Sequence, residues 1–240
     1  MFAYDTAVAE RYPTIRAGVI HATGLANGPS PPDLLDEYRA EQHAASERLK
    51  ATAIADLPSI AAWRRAFTLF GAKPTQYRNA AEALQRRLAK HGDIPSINTL
   101  VDIGNLASIR YAIPVAVFDM AGIAGSITVR FATGAEIFTD LGSTDSVNPD
   151  PGEVIFVDSN NVVSARRWCW RQSAQSATTT TTVDALIVIE GHHDTARQDV
   201  QSALADLTSL LALHQRDNQT NSYLLSPTNP ALERANASRT

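Results

Sequence analysis

The spacing of apolar residues changes near Pro114, and this change constrains the fold more than any other feature. Upstream, one helix face is predicted from residues at i, i+3, i+7 and i+10, namely Ile60, Trp63, Phe67 and Phe70. Downstream, short runs rich in β-branched and aromatic residues, bounded by Gly, Pro, Asp and Asn, are typical of strands. Helices therefore precede a strand-rich centre, which predicts a mixed α/β (α+β) fold rather than a regular βαβ alternation.

The individual elements follow from period and capping. A strand over residues 17–22 precedes two predicted helices, over residues 33–51 and 59–70. A third predicted helix begins at the cap Thr75 and ends at Gly92. A fourth begins at the cap Asn98 and continues toward Tyr111. Strands are predicted in the runs PVAVFD, SITVRF, EVIFVD and ALIVIE, and the last is apolar enough to be covered on both faces. A final helix follows the capping residues 194–195. We expect a central mixed sheet flanked by helices.

Length and composition predict one domain. The chain has 240 residues, of which 44% are hydrophobic and 19% charged, enough apolar material for a sizeable core. We expect a single domain over residues 1–214 with an N-terminal helical extension over residues 30–58. The polar stretch after His214, residues 215–240, is predicted to be a poorly ordered tail.

Several features predict a cytoplasmic protein. No run of about 18 apolar residues is present, so no membrane-spanning helix is expected. The first residues include an early acid and no apolar core, unlike a secretory signal. A single cysteine, Cys169, excludes an internal disulfide and fits a reducing compartment. The sequence does not fix the oligomeric state.

Positive charge is concentrated in one part of a chain whose net charge is −4. Residues 63–91 contain seven Lys and Arg side chains against one glutamate, a charge of +6, and residues 166–171 add three arginines. Arginine suits bidentate contact with phosphate and stacking on bases. The asymmetry favours an anionic partner, although arginines that decorate solvated helix faces give the same pattern.

Motifs for several common chemistries are absent from the sequence. It has neither of the glycine-rich nucleotide-binding motifs and no G-x-S-x-G elbow. His192 and His193 suggest a metal site, but no second ligand cluster stands at suitable spacing, so a helix-capping loop is the preferred interpretation. Cys169 is interpreted as a packed thiol and Ser143 as a turn residue. No metal and no cofactor are predicted.

Three stretches in a fixed order resemble a known family. They are residues 94–110 (IPSINTLVDIGNLASIR), 114–142 (PVAVFDMAGIAGSITVRFATGAEIFTDLG) and 152–172 (GEVIFVDSNNVVSARRWCWRQ). Together they resemble the B3/B4 domain of the bacterial phenylalanyl-tRNA synthetase β subunit, and more closely its free-standing relatives with an RRW-x-WRQ segment. The similarity spans residues 60–190 and implies a B3/B4-like fold.

In the synthetase this domain is the editing site, which hydrolyses the ester between tRNA and a wrongly attached amino acid. The resemblance implies that the pocket threonine and asparagine correspond to Gly104 and Asn105, and the pocket histidine to Ala116. Glu190 is the nearest candidate for the late pocket glutamate. Since a threonine and a histidine are replaced, we expect the reaction class to carry over more readily than the substrate.

Each candidate catalytic residue also has a structural interpretation. Asn105 would orient a water molecule or the ester carbonyl, or would simply bond to helix backbone. Asp102 would act as a base or hold Arg110, or would be a solvated carboxylate in the first turn of its helix. Glu190 ends a buried strand, where catalytic groups often lie in α/β sheets, or is a polar strand terminus.

The RRWCWRQ segment has two interpretations as well. Trp168 and Trp170 would line the aminoacyl pocket, next to arginines that contact a single-stranded RNA end. If the segment is a strand instead, the tryptophans pack in the core while Arg167, Cys169 and Arg171 point the other way. The predicted RNA-binding residues are Arg64, Arg65, Arg78, Arg86, Arg87, Arg167 and Arg171.

Three functions follow from these residues. The first is a trans-acting aminoacyl-tRNA editing hydrolase, with tRNA or aminoacyl-tRNA as partner and no membrane. The second is a non-catalytic RNA or aminoacyl-tRNA binding module, which the replaced threonine and histidine favour. The third is a pocket for a free amino acid or small metabolite.

Overall fold

The protein has a mixed α/β fold with six α-helices in the residues that the computed structural model describes, 2–215 and 217–234. The helices are α1 (Thr6–Arg11), α2 (Pro32–Ala51), α3 (Pro58–Leu69), α4 (Ala80–His91), α5 (Thr99–Tyr111) and α6 (Ala196–His214). The strands are β1 (Phe2–Tyr4), β2 (Arg16–Thr23), β3 (Val115–Asp119), β4 (Ile127–Phe131), β5 (Phe138–Thr139), β6 (Ser146–Val147), β7 (Val154–Val157), β8 (Val163–Arg166), β9 (Arg171–Gln172), β10 (Asp184–Gly191), β11 (Gln219–Ser226) and β12 (Asn229–Arg234).

The strands form two five-stranded sheets and a small two-stranded one. The central sheet has the order β12-β11-β2-β10-β3, with antiparallel neighbours throughout. The second sheet has the order β1-β4-β7-β8-β9, in which β1 and β4 are parallel. Strands β5 and β6 pair separately. Helices α2, α5 and α6 pack on one face of the central sheet, and the second sheet faces the other.

Strand β10 divides the core. Ala185, Ile187 and Ile189 pack into the helix-side cluster, whereas Leu186 and Val188 pack into the inter-sheet cluster. The prediction of a strand covered on both faces is therefore confirmed. Because side chains alternate along a strand, neighbouring residues of β10 lie in different cores.

Asparagine side chains cap helices α4 and α5. Asn98 accepts a hydrogen bond from the Val101 amide at 3.0 Å and begins α5 as predicted. The predicted start of α4 at Thr75 is wrong, because residues 74–77 form a turn and Asn79 caps the helix instead. Gly92 ends α4 in the left-handed conformation, with φ +80°.

The polar stretch after His214 is not a tail over its whole length. Residues 219–226 form β11, which pairs with β2 from Gln219↔Thr23 to Leu225↔Ala17. The expectation of disorder is wrong here because an open sheet edge offers unpaired backbone groups. Those groups can be satisfied by a strand of polar composition. The residues numbered 216 and 235–240 lie outside the described part of the chain.

Candidate functional site

A tight turn between β8 and β9 places the two tryptophans of RRWCWRQ. Arg167 and Trp168 both have positive φ, +43° and +60°, a strained conformation for residues with bulky side chains. The strand interpretation of this segment is therefore wrong. The turn directs Trp168 into the inter-sheet core, where its side chain is fully buried. Trp170 is half-buried and lies beside Tyr77, with ring centroids 5.0 Å apart.

Glu190 is a buried carboxyl group at the end of β10. It is 2% exposed, and its side chain points between the sheets. Its Oε1 atom accepts a hydrogen bond from Trp168 Nε1 at 2.9 Å and another from the Tyr4 hydroxyl. Burial raises the pKa of Glu190 to about 7, although these two hydrogen bonds oppose the shift by favouring the carboxylate. The group therefore changes charge near neutral pH.

Two further titratable groups adjoin this carboxyl. Burial and the nearby Glu190 raise the pKa of Tyr4 well above its usual range, so the phenol keeps its proton. The same two causes raise the pKa of the Cys169 thiol. A thiol in this state is a poor nucleophile, which agrees with the interpretation of Cys169 as a packed residue. Tyr4 was not predicted, since a three-residue strand at the N-terminus leaves no periodic signal.

A cavity of about 70 Å³ lies beside Glu190, at the edge strand β3. Four of the predicted site residues line it, and they come from three separate strands or turns: Ala116, Trp170, Arg171 and Glu190. Cys169 also lines this cavity, which we call the Glu190 cavity. Trp168 does not line it but donates to the carboxyl from the core side.

Asn105 and Gly104 lie on the other side of the central sheet. Both belong to α5, which packs on the helix-side face, whereas Glu190 bonds to residues of the inter-sheet core. A Cβ added to Gly104 would lie 3.0 Å from Val117 Cγ2, so the helix backbone is close to β3. Asn105 lies beside Tyr38 of α2. The structure therefore does not bring the predicted Asn105 and Glu190 into one cavity.

Asp102 has a structural environment. It is buried, and its oxygens accept hydrogen bonds from Ser30 Oγ at 2.6 Å, from Ser96 Oγ and from the Ile97 amide at 3.0 Å. These bonds fasten two loops to the start of α5, so the carboxylate is neither solvated nor next to the Glu190 cavity. Arg110, its predicted partner, instead bonds to carboxylates of α2 and α6.

The predicted RNA-binding arginines fall into two groups. The first surrounds the buried Glu82, whose Oε1 atom lies 2.8 Å from Arg64, 2.9 Å from Arg86 and 4.0 Å from Arg78. With Arg65 exposed on the adjoining α3, this group leaves excess positive charge on one surface. Arg87 is also exposed, on α4.

The second group is neutralised. Arg167 is 9% exposed and pairs with Asp150 at 2.8 Å, and its guanidinium stacks over Tyr77. Arg171 pairs with Asp140 and stacks over Trp170. The guanidinium of Arg167 is therefore buried between an acid and an aromatic ring, an arrangement that does not favour the predicted contact with RNA.

The two adjacent histidines separate as expected for a capping loop. His193 Nε2 lies 2.6 Å from Asp199, in the first turn of α6, and Thr195 precedes that helix. His192 packs among aromatic rings, 4.5 Å from Trp63 and 5.0 Å from Trp168 by ring centroids. In the described part of the chain, no three His, Cys, Asp or Glu residues are grouped to hold a metal. Over the same residues, no helix is long and apolar enough to cross a bilayer.

Comparison with known proteins identifies the family. The B3/4 domain model matches residues 62–215. A solved structure is also similar, a crystal structure of an N-terminal fragment of the phenylalanyl-tRNA synthetase β subunit from Pyrococcus horikoshii. The two share 14% identity with a TM-score of 0.47, covering 92% of this chain and 50% of that one, so the present chain spans half of the fragment. No curated protein matches. The chain belongs to the B3/4 domain family.

Proposed function

We propose that this protein is a trans-acting aminoacyl-tRNA hydrolase and that ester cleavage takes place at the Glu190 cavity. The observation that carries the proposal is the buried carboxyl of Glu190, whose pKa of about 7 is matched to acid–base work at neutral pH. The family supports the reaction class. Two positions that correspond by resemblance to the synthetase pocket, Ala116 and Glu190, both line this cavity.

Glu190 acts in this proposal as the general base. In its carboxylate form, which is accessible near neutral pH, Glu190 takes a proton from a water molecule as the water oxygen attacks the ester carbonyl carbon. The tetrahedral intermediate then expels the ribose oxygen of the terminal adenosine, which takes the proton back from Glu190. The products are free amino acid and uncharged tRNA.

Tyr4 and Trp168 are positioning residues for that base. Both donate hydrogen bonds to Oε1 of Glu190, and both bonds are already formed in the structure. The phenol stays protonated because of its raised pKa, so it remains a donor in either charge state of Glu190. The carboxyl is therefore held in one orientation before substrate binds, which is the condition for efficient proton transfer.

The cavity size limits the aminoacyl side chain. About 70 Å³ is much smaller than the roughly 300–1,000 Å³ of a typical ligand pocket. The cavity therefore accommodates a small side chain, with the adenosine outside. Ala116 presents a methyl group where the synthetase has a histidine, so one polar partner for a substrate hydroxyl is missing. We infer that the preferred side chain is small and lacks a phenolic hydroxyl.

A non-catalytic RNA-binding module is the second candidate. The observation that favours it is the arginine group around Glu82, which supports binding of an anionic strand whatever happens at Glu190. The position of Asn105 behind the central sheet also removes one polar group from the proposed cavity. Both candidate functions predict RNA binding, but only the first predicts ester cleavage.

Deacylation assays with a panel of mischarged tRNAs test the proposal. We expect hydrolysis above the uncatalysed rate for at least one small aminoacyl group, and a loss of about 100-fold or more in Glu190→Gln, the usual contribution of a general base. Glu47→Gln is the matched control, because Glu47 is exposed on α2 and should leave the rate unchanged. Absence of cleavage across the panel would refute the hydrolase. Salt-sensitive tRNA binding in that case would identify the second candidate.

A further inference from the structure

A second, larger concavity is lined in part by His192. It has a volume of about 770 Å³, within the usual range for ligand sites. Its walls come from the end of α1 and the turn after it, from α3, and from the turn between β10 and α6. We call it the arginine groove. His192 packs against Trp168, with ring centroids 5.0 Å apart, and the indole nitrogen of Trp168 donates to Glu190.

Three arginines line the arginine groove. They are Arg11, Arg64 and Arg65, and Asp194 is the one acid among the lining residues. Within the described residues, Arg11 and Arg65 take part in no ion pair, and both are exposed. Arg64 is held in place by its bond to Glu82, 2.8 Å long. The groove therefore has two arginines without an ion-pair partner among the described residues and a third whose guanidinium is paired with Glu82.

Hydroxyl and imidazole groups complete the polar lining. Thr14 and Thr68 line the groove; the Thr68 hydroxyl donates to the Arg64 carbonyl at 3.0 Å, and Thr14 Oγ1 lies 3.3 Å from His192 Nδ1. His192 is 7% exposed, and its buried Nε2 has no hydrogen-bond partner among the described residues. Burial, followed by the nearby His193, Arg16 and Arg65, lowers the pKa of His192 to about 3, so the ring is neutral at pH 7. The positive charge of the groove therefore comes from its arginines.

The geometry points to a phosphate-binding site in the arginine groove, which receives a phosphate group carried by a mononucleotide or by an RNA strand. A phosphate offers several oxygens and up to two negative charges, which match a groove lined by several arginines better than a single carboxylate does. The proposal does not require hydrolysis at Glu190, because it concerns a different cavity with a different set of residues.

Binding measurements with three probes test the site. Calorimetry measures the binding of AMP and of adenosine. Fluorescence anisotropy measures the binding of a fluorescein-labelled single-stranded RNA of about 12 nucleotides. We expect Arg11→Gln and Arg65→Gln each to weaken binding of a phosphate-bearing probe about tenfold, as expected for loss of one charged hydrogen bond. The matched control is Arg39→Gln, an exposed arginine of α2 outside the groove, which should bind as the wild type does.

The probes distinguish the two sources of phosphate. Binding of AMP but not adenosine, lost in the two groove variants, supports a mononucleotide. Binding of the RNA alone, with the same two variants weakened, supports a strand. Wild-type affinity in both groove variants, or no binding of any phosphate-bearing probe, would overturn the proposal. Glu190→Gln should retain this binding, so a failure of the hydrolase and a failure of the groove give different results.

Discussion

The charge of Glu190 makes the stability of this protein depend on pH in a predictable direction. The buried carboxyl is more stable protonated than ionised, since its pKa rises from 4.5 to about 7 on folding. Glu190→Gln removes the titration but keeps a side-chain oxygen that can accept from Tyr4 and Trp168. The difference in free energy of unfolding between variant and wild type therefore isolates this one group.

The magnitude follows from linkage. One pKa unit corresponds to about 1.4 kcal/mol, so a shift from 4.5 to about 7 corresponds to about 3 kcal/mol. Below pH 4.5 the carboxyl is protonated in both the folded and unfolded chain, and the full stabilisation is present. As pH rises through 7 the folded chain must ionise a buried group, and the stabilisation is lost. The advantage of Glu190→Gln should therefore grow by about 3 kcal/mol between pH 4.5 and 7 and stay constant above.

Urea unfolding at pH 4.5, 6, 7.5 and 9 measures this difference. The fluorescence of the buried Trp63 and Trp168 reports unfolding at each pH. Glu47→Gln is the control for loss of an exposed carboxyl, and its difference from wild type should vary far less over the same interval. A Glu190→Gln advantage that is flat, or that shrinks as pH rises, would refute the raised pKa and with it the proposed base.

Three further predictions concern other measurements. The kcat/KM for deacylation should rise with pH through an apparent pKa near 7, because only the Glu190 carboxylate accepts a proton; a rate that falls over this interval would contradict the mechanism. Glu82→Gln should lower the free energy of unfolding by about 2 kcal/mol in urea titrations, because a buried charge is removed from between arginines, whereas Arg78→Gln, at 4.0 Å, should cost less than about 1 kcal/mol. Gly122→Ala should destabilise the protein by about 3 kcal/mol in thermal denaturation, because a Cβ there would lie 1.7 Å from a backbone oxygen, while Gly28→Ala, in open space, should not.

Periodicity alone is enough to predict much of this fold. Helix α5 begins at the predicted Asn98 cap, and α6 buries the predicted stripe with Val200 and Leu204. These elements were predictable because both signals, the hydrophobic spacing and the capping residue, lie within the helix or next to its start. Strand β10 was predictable from its local sequence as well, because an unbroken apolar run indicates a strand that is covered on both faces.

Errors arose where long-range packing determines the local structure. The turn at Arg167 and Trp168 requires left-handed backbone in two bulky residues, which tertiary contacts stabilise and local preference does not. Strand β11 depends on the open edge of β2, a partner about 200 residues away along the chain. Local sequence signals contain no information about the tertiary contacts that stabilise this turn or about the strand that pairs with β11.

The candidate site was predictable in part. Ala116, Trp170 and Glu190, three of the predicted site residues, line one cavity, and their role there stays a prediction. Asn105 lies elsewhere because the sequence does not reveal which face of the central sheet α5 covers. Along a strand, successive side chains point to opposite faces of the sheet, so a shift of one residue moves a side chain to the other face. Which of these faces a helix covers depends on the packing of the whole fold.

The most direct measurement of the central claim is a crystal structure with a non-hydrolysable 3′-aminoacylamino-3′-deoxyadenosine that carries a small side chain. We predict the aminoacyl group in the Glu190 cavity, between Ala116 and Trp170, with the carbonyl carbon within one water molecule of the Glu190 carboxyl. Density for the analogue on the Asn105 side of the central sheet, or an empty Glu190 cavity at saturating analogue, would contradict the account.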